Sequence, residues 1–448
     1  MENLKLPPQD IEAEKSVLGA LMLDKDAIIK VADLLYSADF YQPANAKIFE
    51  AIFRLFEKGE PIDILSVSKK LKDENQLIEI GGSAYLTDLI NSVPTAAHIS
   101  YYSKIVRQKK VLRDLITASS QITERVFDTS ENTEDLLDDI EQKIFSISQK
   151  SRPQKFVAIK DELKAAYERI EKLHQGERGL RGVSTGFDEL DNYLSGFQRS
   201  DLIILGARPS LGKTALCLDM VRSAAIKTKV PVGIFSLEMS RDQVIDRIIA
   251  AEAQVALWKL RTGRLSDDID FEMIQAALDR LAQAPIFIDD TPSANIIQLR
   301  SMARRLQAEH GLGLLVVDYL QLISPRSNTD NMVQAMTEVS RGLKSLAREL
   351  EVPVLAAAQL SRAVEQREVK IPRLADLRES GSIEQEADVV LFIYRKDKDK
   401  SEPSLEEENT AEIIIAKHRN GPLATVQLKF DQEKVSFRSI EKFHTETE

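Results

Sequence analysis

Gly212, Lys213 and Thr214 follow the apolar run DLIILG and the short stretch ARPSL, and that order of residue types suits the binding of a polyphosphate. In a strand, loop, helix context the backbone N–H groups of residues 210–215, those of Ser210 and Ala215 included, point at the anion from the helix N-terminus. The Lys213 ammonium is expected to neutralise the β and γ groups, and the Thr214 hydroxyl to ligate Mg²⁺. The strict G-x-x-x-x-G-K-T spacing is broken once: Ala207 stands where the first glycine belongs, with Gly206 one position early. The departure is mild, because the loop mainly needs a small residue where the backbone turns.

Further apolar runs end on polar residues. Asp318 closes LLVVD, where a phosphate-loop enzyme places the carboxylate of the Mg²⁺ shell. Glu238 closes GIFSLE, and a carboxylate there can orient and deprotonate an attacking water. Gln359 closes VLAAAQ, placed to hydrogen-bond a γ-phosphate or water and to relay its loss. A capping role would account for Asp318 alone, but adjacent parallel strands deliver their C-terminal ends to one edge, so the set is expected to converge. Lys417 and Arg419 are two apart on an expected strand and project from one face, beside an Asn420-Gly421 turn that puts them at an exposed tip. The pair is either an ordinary solvated basic hairpin or a group offered to a neighbour. An arginine supplied in trans to a transferring phosphoryl is worth about 10³–10⁵ in rate. The segment PRLADLRESGSIEQEAD, centred on Gly381, reads as a long polar loop with no structure of its own. Arg378 could contact a nucleic-acid phosphate there, and backbone N–H groups around Gly381 could approach a strand closely. The segment has no aromatic residue for stacking, so base-specific readout is not expected.

These residues need a frame that brings strand ends together. DLIILG, VPVGIFSLE, APIFIDD, LGLLVVDYL, VPVLAAAQL and DVVLFIY alternate with helical stretches, the pattern of βαβ units and a parallel sheet. AEIIIAKHRNGPLATVQLKF adds two strands around Asn420-Gly421. Up to about residue 150 the pattern is helical: Phe49, Ile52, Phe53 and Phe56 form one stripe, and Leu137, Ile140, Ile144 and Ile147 form another, both read as core packing. After the polar stretch SQKSRPQK comes an isolated amphipathic segment with Leu163, Ala166, Tyr167, Ile170 and Leu173 on one face. That face must bury itself against its own domain or against a neighbouring subunit.

At 448 residues the chain is expected to hold two or three domains. Its 43% apolar and 29% charged residues fit a globular protein. A net charge of −11 excludes bulk polycation coating of DNA, so any nucleic-acid contact must be local. The acidic run KDKDKSEPSLEEEN reads as a solvated loop. Cys217 is the single cysteine, which excludes an intrachain disulfide framework. No signal peptide or membrane span is apparent, and a reducing cytoplasm is the expected location.

Taken together, PPQDIEAEKSVLGALMLD, DFYQPANAKIFEAI, STGFDELD, ARPSLGKTA, FSLEMS, LWKLRTG, VDYLQLI, LKSLARELEVPVLAAAQLSR, LRESGSIEQEADVV and AKHRNGP closely resemble the bacterial replicative DNA helicase, the DnaB family, over essentially the whole chain. The resemblance implies an all-α N-terminal domain over 1–150 that forms a collar and recruits primase. It implies a linker with an amphipathic helix over 151–181 that docks on the adjacent subunit, and an α/β RecA-like phosphate-loop ATPase core over 182–448. It further implies a homohexameric ring with ATP and Mg²⁺ between neighbours, 5′–3′ movement on single-stranded DNA, and a helicase loader as partner. By the same resemblance Ser210, Gly212, Lys213, Thr214, Ala215 and Arg247 contact the nucleotide, and Glu238 is the catalytic carboxylate. Lys417 and Arg419 reach the neighbour's ATP, and Arg378, Glu379 and Gly381 hold DNA in the channel. His418 departs from the glutamine common in the family, which touches only the contact made through that side chain. A RecA-like recombinase or a DNA-independent ATPase of the same fold would share the phosphate loop, but not the helical N-terminal domain together with the LRESGSIEQEAD segment.

Overall fold

The computed structural model describes residues 6–24, 26–93, 95–127, 181–265, 268–324, 332–367, 369–399 and 407–440, with Ser404 and isolated positions between 136 and 171. The chain divides into two compact units, Met1–Tyr167 and Glu168–Glu448. Among the described residues no helix is long and apolar enough to cross a membrane.

The first unit is helical: α1 (Ile11–Leu23), α2 (Pro43–Glu57), α3 (Ile64–Asp73), α4 (Gly82–Asn91) and α5 (Ile99–Phe127). Local chemistry sets the starts. Asp10 accepts from the Ala13 N–H at 3.0 Å and Asp63 from the Ser66 N–H at 2.8 Å, while Pro43 opens α2 where no N–H is needed. Gly19 lets α1 and α4 touch, since a Cβ there would lie 2.2 Å from the Leu89 carbonyl oxygen. The buried Glu14 carboxylate accepts from the Tyr41 N–H (2.6 Å) and Asn45 Nδ2 (2.9 Å), tying α1 to the positive end of α2. Of the expected stripe on α2, Phe49 and Ile52 are buried, whereas Phe56 is 37% exposed. Leu55 takes the buried place in that last turn, so the apolar face leans one residue toward the N-terminus. Leu137 of the second stripe lies outside the described residues, as do Ala166, Ile170 and Leu173 of the amphipathic segment; its Leu163 and Tyr167 are helical and exposed.

The second unit is built on a nine-stranded sheet in the order β3-β2-β4-β5-β1-β6-β7-β8-β9. The six apolar runs form β1 (Leu202–Ala207), β2 (Val232–Ser236), β3 (Ile286–Asp289), β4 (Leu314–Asp318), β5 (Val354–Gln359) and β6 (Val389–Tyr394), which pair in parallel. Then β7 (Thr410–His418), β8 (Ala424–Asp431) and β9 (Ser436–Ser439) continue antiparallel. The helices are α6 (Asp188–Leu194), α7 (Lys213–Lys227), α8 (Arg241–Ala253), α9 (Leu257–Thr262), α10 (Asp268–Ala282), α11 (Ile296–His310), α12 (Met332–Leu350) and α13 (Gly381–Glu386). Central β1 is buried at every position, as a strand covered on both faces must be. Ile203 and Leu205 pack with Leu216 and Val221 of α7, while Leu202 and Ile204 pack with Leu299 of α11 and Leu343 of α12. By contrast β8 alternates buried and exposed positions, the mark of a sheet with one solvated face.

Two expectations about loops are corrected. The segment 372–388 is not without structure: Leu374–Ser380 forms a 3₁₀ turn and α13 follows, with Leu377, Ile383 and Ala387 buried against the core. The run that begins at Lys396 is not wholly solvated either. Asp397 grips the fully buried Arg395 through two hydrogen bonds (2.6 and 3.1 Å), and Asp399 accepts from Arg208 at 2.6 Å. Buried charges persist only when paired in this way.

At the end of the sheet where β1 begins, the buried Asp388 accepts from the Leu202 N–H at 2.9 Å and from Lys344, which also donates to the Ser200 carbonyl at 2.8 Å. Asp201 lies beside it. Burial first, then the negative charge of Asp388, pushes the Asp201 carboxyl up to about 6 against the partial offset of Lys344, Arg419 and Arg181. Because that value lies above the ordinary carboxylate range, Asp201 favours the folded state below about pH 4, and that contribution is lost as pH rises through about 6. Asp201→Asn removes the titration. The melting temperature of the variant relative to wild type should therefore rise by a few degrees between pH 4.5 and 7.5, measured by thermal unfolding; a pH-independent difference would show that Asp201 is solvated.

Candidate active site

Strand β1 ends at Ala207, residues Arg208–Gly212 turn, and α7 begins at Lys213. The turn needs left-handed backbone at Ser210 (φ 64°) and Gly212 (φ 97°). Gly212 has a second reason to be glycine: a Cβ there would lie 2.9 Å from the Phe437 ring of β9. That strand is held against α7 by the buried Asp219, which accepts from the Phe437 N–H (2.6 Å) and the Ser436 hydroxyl (2.9 Å). Burial pushes the Asp219 carboxyl up, and Arg222 at 3.2 Å acts against that shift.

Around the loop the parallel register gathers the strand ends. Ala207 pairs with Gln359 and Ser236 with Asp318. The Thr214 hydroxyl donates to Asp318 Oδ2 at 2.6 Å, and Lys213 Nζ lies 3.4 Å from Asp318 Oδ1 and 4.0 Å from Glu238. The Asp318 side chain is 4% exposed, whereas that of Glu238 is 50% exposed and reaches solvent. Asp318 Oδ1 accepts no hydrogen bond, leaving a buried hard oxygen beside the Thr214 hydroxyl. Glu238 does not end β2 as expected: the strand stops at Ser236 and Glu238 sits in the bend beyond it. On α8, burial lowers the pKa of Arg247 and the Asp318 and Glu238 charges oppose that, which ties this arginine electrostatically to the same cluster.

Two residues of this site escaped sequence reasoning. Tyr319 lays its ring under Lys213, with Nζ 3.8 Å from the centroid, and Gln321 clasps the Gln359 backbone, accepting from its N–H (3.2 Å) and donating to its carbonyl (2.9 Å). Both lie in DYLQL directly after Asp318, so adjacency to the strand-end carboxylate is the signal that pointed to them.

Lys417, Arg419 and residues 378–381 are not part of this cluster. Lys417 stands on β7, where Nζ donates to the carbonyls of Glu384 (2.6 Å) and Ala387 (2.7 Å) at the end of α13. Arg419 is not on the strand, which ends at His418; it opens the turn, 70% exposed, with NH1 3.4 Å from Asp388. In the register His418 pairs with Val389 and Val389 with Ile203, so Arg419 lies at the edge where β1 starts. Its own chain's phosphate loop is at the other edge, roughly 15 Å away for a strand of this length. Arg378 and Glu379 fall in the 3₁₀ turn and Gly381 opens α13; their side chains lie outside the described residues.

A phosphate loop on the central strand of a mainly parallel sheet, with lysine, threonine and a strand-end aspartate converging on it, defines a RecA-like nucleoside triphosphatase. Residues 6–108 match the DnaB-like helicase N terminal domain and residues 182–439 the DnaB-like helicase C terminal domain. The chain belongs to the DnaB family of replicative DNA helicases, and is an ATP-dependent DNA helicase. It is 48% identical to the replicative DNA helicase DnaB of Geobacillus stearothermophilus over 98% of this chain and 96% of that one. It is 46% identical to the replicative DNA helicase DnaC of Bacillus subtilis, again over 98% and 96%. A solved structure of a DnaB-like replicative helicase, described with its interactions with primase, superposes with a TM-score of 0.78 at 31% identity, covering 96% of this chain and all of that one. The match over residues 6–108 separates the chain from a recombinase or a DNA-independent ATPase that shares only the phosphate loop.

Tyr319→Leu removes the ring face under the Lys213 ammonium, and such a contact is worth about 0.5–2 kcal/mol. Nucleotide affinity, measured by titration calorimetry, should fall about two- to thirtyfold. Unchanged affinity would reduce the ring to packing.

Proposed function

We propose that this helicase works as a homohexameric ring in which each ATP is completed by two subunits. The observation that carries the reading is that Arg419 and the phosphate loop occupy opposite edges of one sheet. A chain with this geometry cannot offer Arg419 to its own phosphates, while a neighbour packed edge to edge can. Lys417 lies beside Arg419 and would exchange its carbonyl partners for phosphate oxygens on the same neighbour.

Within the loop, Ser210, Gly212, Lys213, Thr214 and Ala215 bind the phosphates, and Lys213 and Arg247 neutralise their charge. The oxygens of Thr214 and Asp318 suit Mg²⁺, which takes few protein ligands and keeps phosphates and water as the rest. Bound there, Mg²⁺ supplies positive charge against the β and γ groups. Glu238, half exposed and 4.0 Å from Lys213, orients and deprotonates the attacking water. Gln359, clasped through its backbone by Gln321, reports loss of the γ-phosphate to the segment that follows β5. Arg378, Glu379 and Gly381 in that segment hold single-stranded DNA in the channel, and the ring moves 5′–3′ along it. The contact is to backbone, so binding is independent of base sequence.

Residues 1–150 form the collar that engages primase, a reading supported by the solved relative described with its interactions with primase. The 151–181 linker docks its amphipathic helix on the adjacent subunit, with 182–448 as the motor. A loader places the ring on DNA in the cytoplasm.

Glu238→Gln keeps the shape of the side chain and removes the base. ATP affinity should stay within about twofold while turnover falls by about 10²–10⁴; parallel loss of both would make Glu238 structural. The ring itself is tested by mixing Arg419→Ala chains with Lys213→Ala chains, each nearly inactive alone. Interfaces where an intact loop meets an intact arginine should recover ATP hydrolysis, read as rate against mixing ratio with subunit exchange verified. A flat zero at every ratio rejects the in-trans role.

A further inference from the structure

We infer that Asp388 is the positioning residue for Arg419, fixing where the arginine is presented to the next subunit; the inference rests on the in-trans reading above. Asp388 immediately precedes β6 and is 3% exposed. Its two carboxylate oxygens have separate partners. Oδ2 is fully engaged inward, accepting from the Leu202 N–H at 2.9 Å and from Lys344 of α12. Oδ1 faces outward to the Arg419 guanidinium at 3.4 Å. Were the carboxylate needed only to tie β6 to β1, the inner oxygen would suffice.

The backbone makes the same connection. The Asp388 N–H donates to the Leu202 carbonyl and the Arg419 N–H donates to the Asp388 carbonyl, both at 2.9 Å. Main chain and side chain of Asp388 are therefore fixed from β1 and α12, and Arg419 is hung from both. This matters because an exposed arginine at the mouth of a turn has many rotamers, and each one lost in advance raises the share of time its head spends where a neighbour needs it. Asp201 lies in the field of both members of the pair and of Lys344, and Lys344 is already held by the inner oxygen. In the single chain Lys417, two residues earlier, grips the carbonyls of Glu384 and Ala387, so before a neighbour's phosphates draw it away the hairpin end is braced on the short segment that leads into Asp388.

The role separates from a structural one by which chain carries the change. In the mixing experiment the Lys213→Ala chain donates the arginine and the Arg419→Ala chain donates the loop. Asp388→Asn placed in the arginine donor should cut the restored ATPase about three- to tenfold, the worth of a charge-assisted contact at a partly exposed site. The same change placed in the loop donor, which has no Arg419 to position, should leave the restored rate unchanged. Equal losses in both placements, loss confined to the loop donor, or no loss in either would overturn the inference and leave Asp388 as a tie between β6 and β1. If the amide variant does not assemble, Asp388→Glu keeps the charge for Lys344 and displaces the outer oxygen by a methylene, and the same four outcomes apply. Failure of the starting mixture, without any change at Asp388, to restore activity is a different result: it rejects the in-trans reading and this inference with it.

Discussion

Parallel pairing of β1 with β5 and β6, and of β4 with β2, forces every one of these strands to finish at the same edge. The constraint is geometric and holds for β1 to β6, so a group at the end of one of these strands lies on the side of the phosphate loop and a group at its start does not. It sorts the chain's charged residues into two sets. Thr214, Asp318, Lys213 and Glu238 fall at one edge, linked in that order by contacts of 2.6, 3.4 and 4.0 Å. Asp201, Asp388, Lys344 and Arg419 fall at the other. The reversal of direction at β7 is what carries Lys417 and Arg419 back to the starting edge.

Burial of charge follows from the same layout. A central strand covered on both faces buries some of the charges beside its ends, and those must be paired. Asp318 is balanced by Lys213 and Thr214, Asp388 by Lys344, and Arg395 by Asp397. Pairing of this kind contributes little net stability against an apolar substitute, but removing one partner is costly because the other is stranded. The site and its supports are therefore rigid for electrostatic reasons as much as for packing.

The phosphate loop was legible because its parts are local: strand, turn and the start of the helix follow one another over residues 202–214, and a lysine and hydroxyl in that order have one common use. The strands were legible from apolar runs, and the helical half from its stripes. What escaped was set by partners distant in sequence. Nothing near Asp219 announces that it holds Phe437, and nothing near Asp388 announces Leu202, 186 positions away. The 372–388 segment was misread because a 3₁₀ turn runs into an α-helix, and the change of period hides Leu377 and Ile383 as members of one buried face. Glu238 and Arg419 were found as residues but placed on strands that stop one or two positions short of them.

The contact of β9 with α7 bears on the order of events during synthesis. The Asp219 carboxylate and the Ser436 hydroxyl are 217 positions apart, and the Phe437 ring fills the space beside Gly212. A ribosome adding about 5–20 residues per second exposes the phosphate loop many seconds before the strand that walls it. Over that interval the nascent polypeptide carries the residues for ATP hydrolysis without the packing that shapes their loop. Until Ser436 and Phe437 are made, the Asp219 carboxylate lacks both of these partners and the space beside Gly212 stays unfilled.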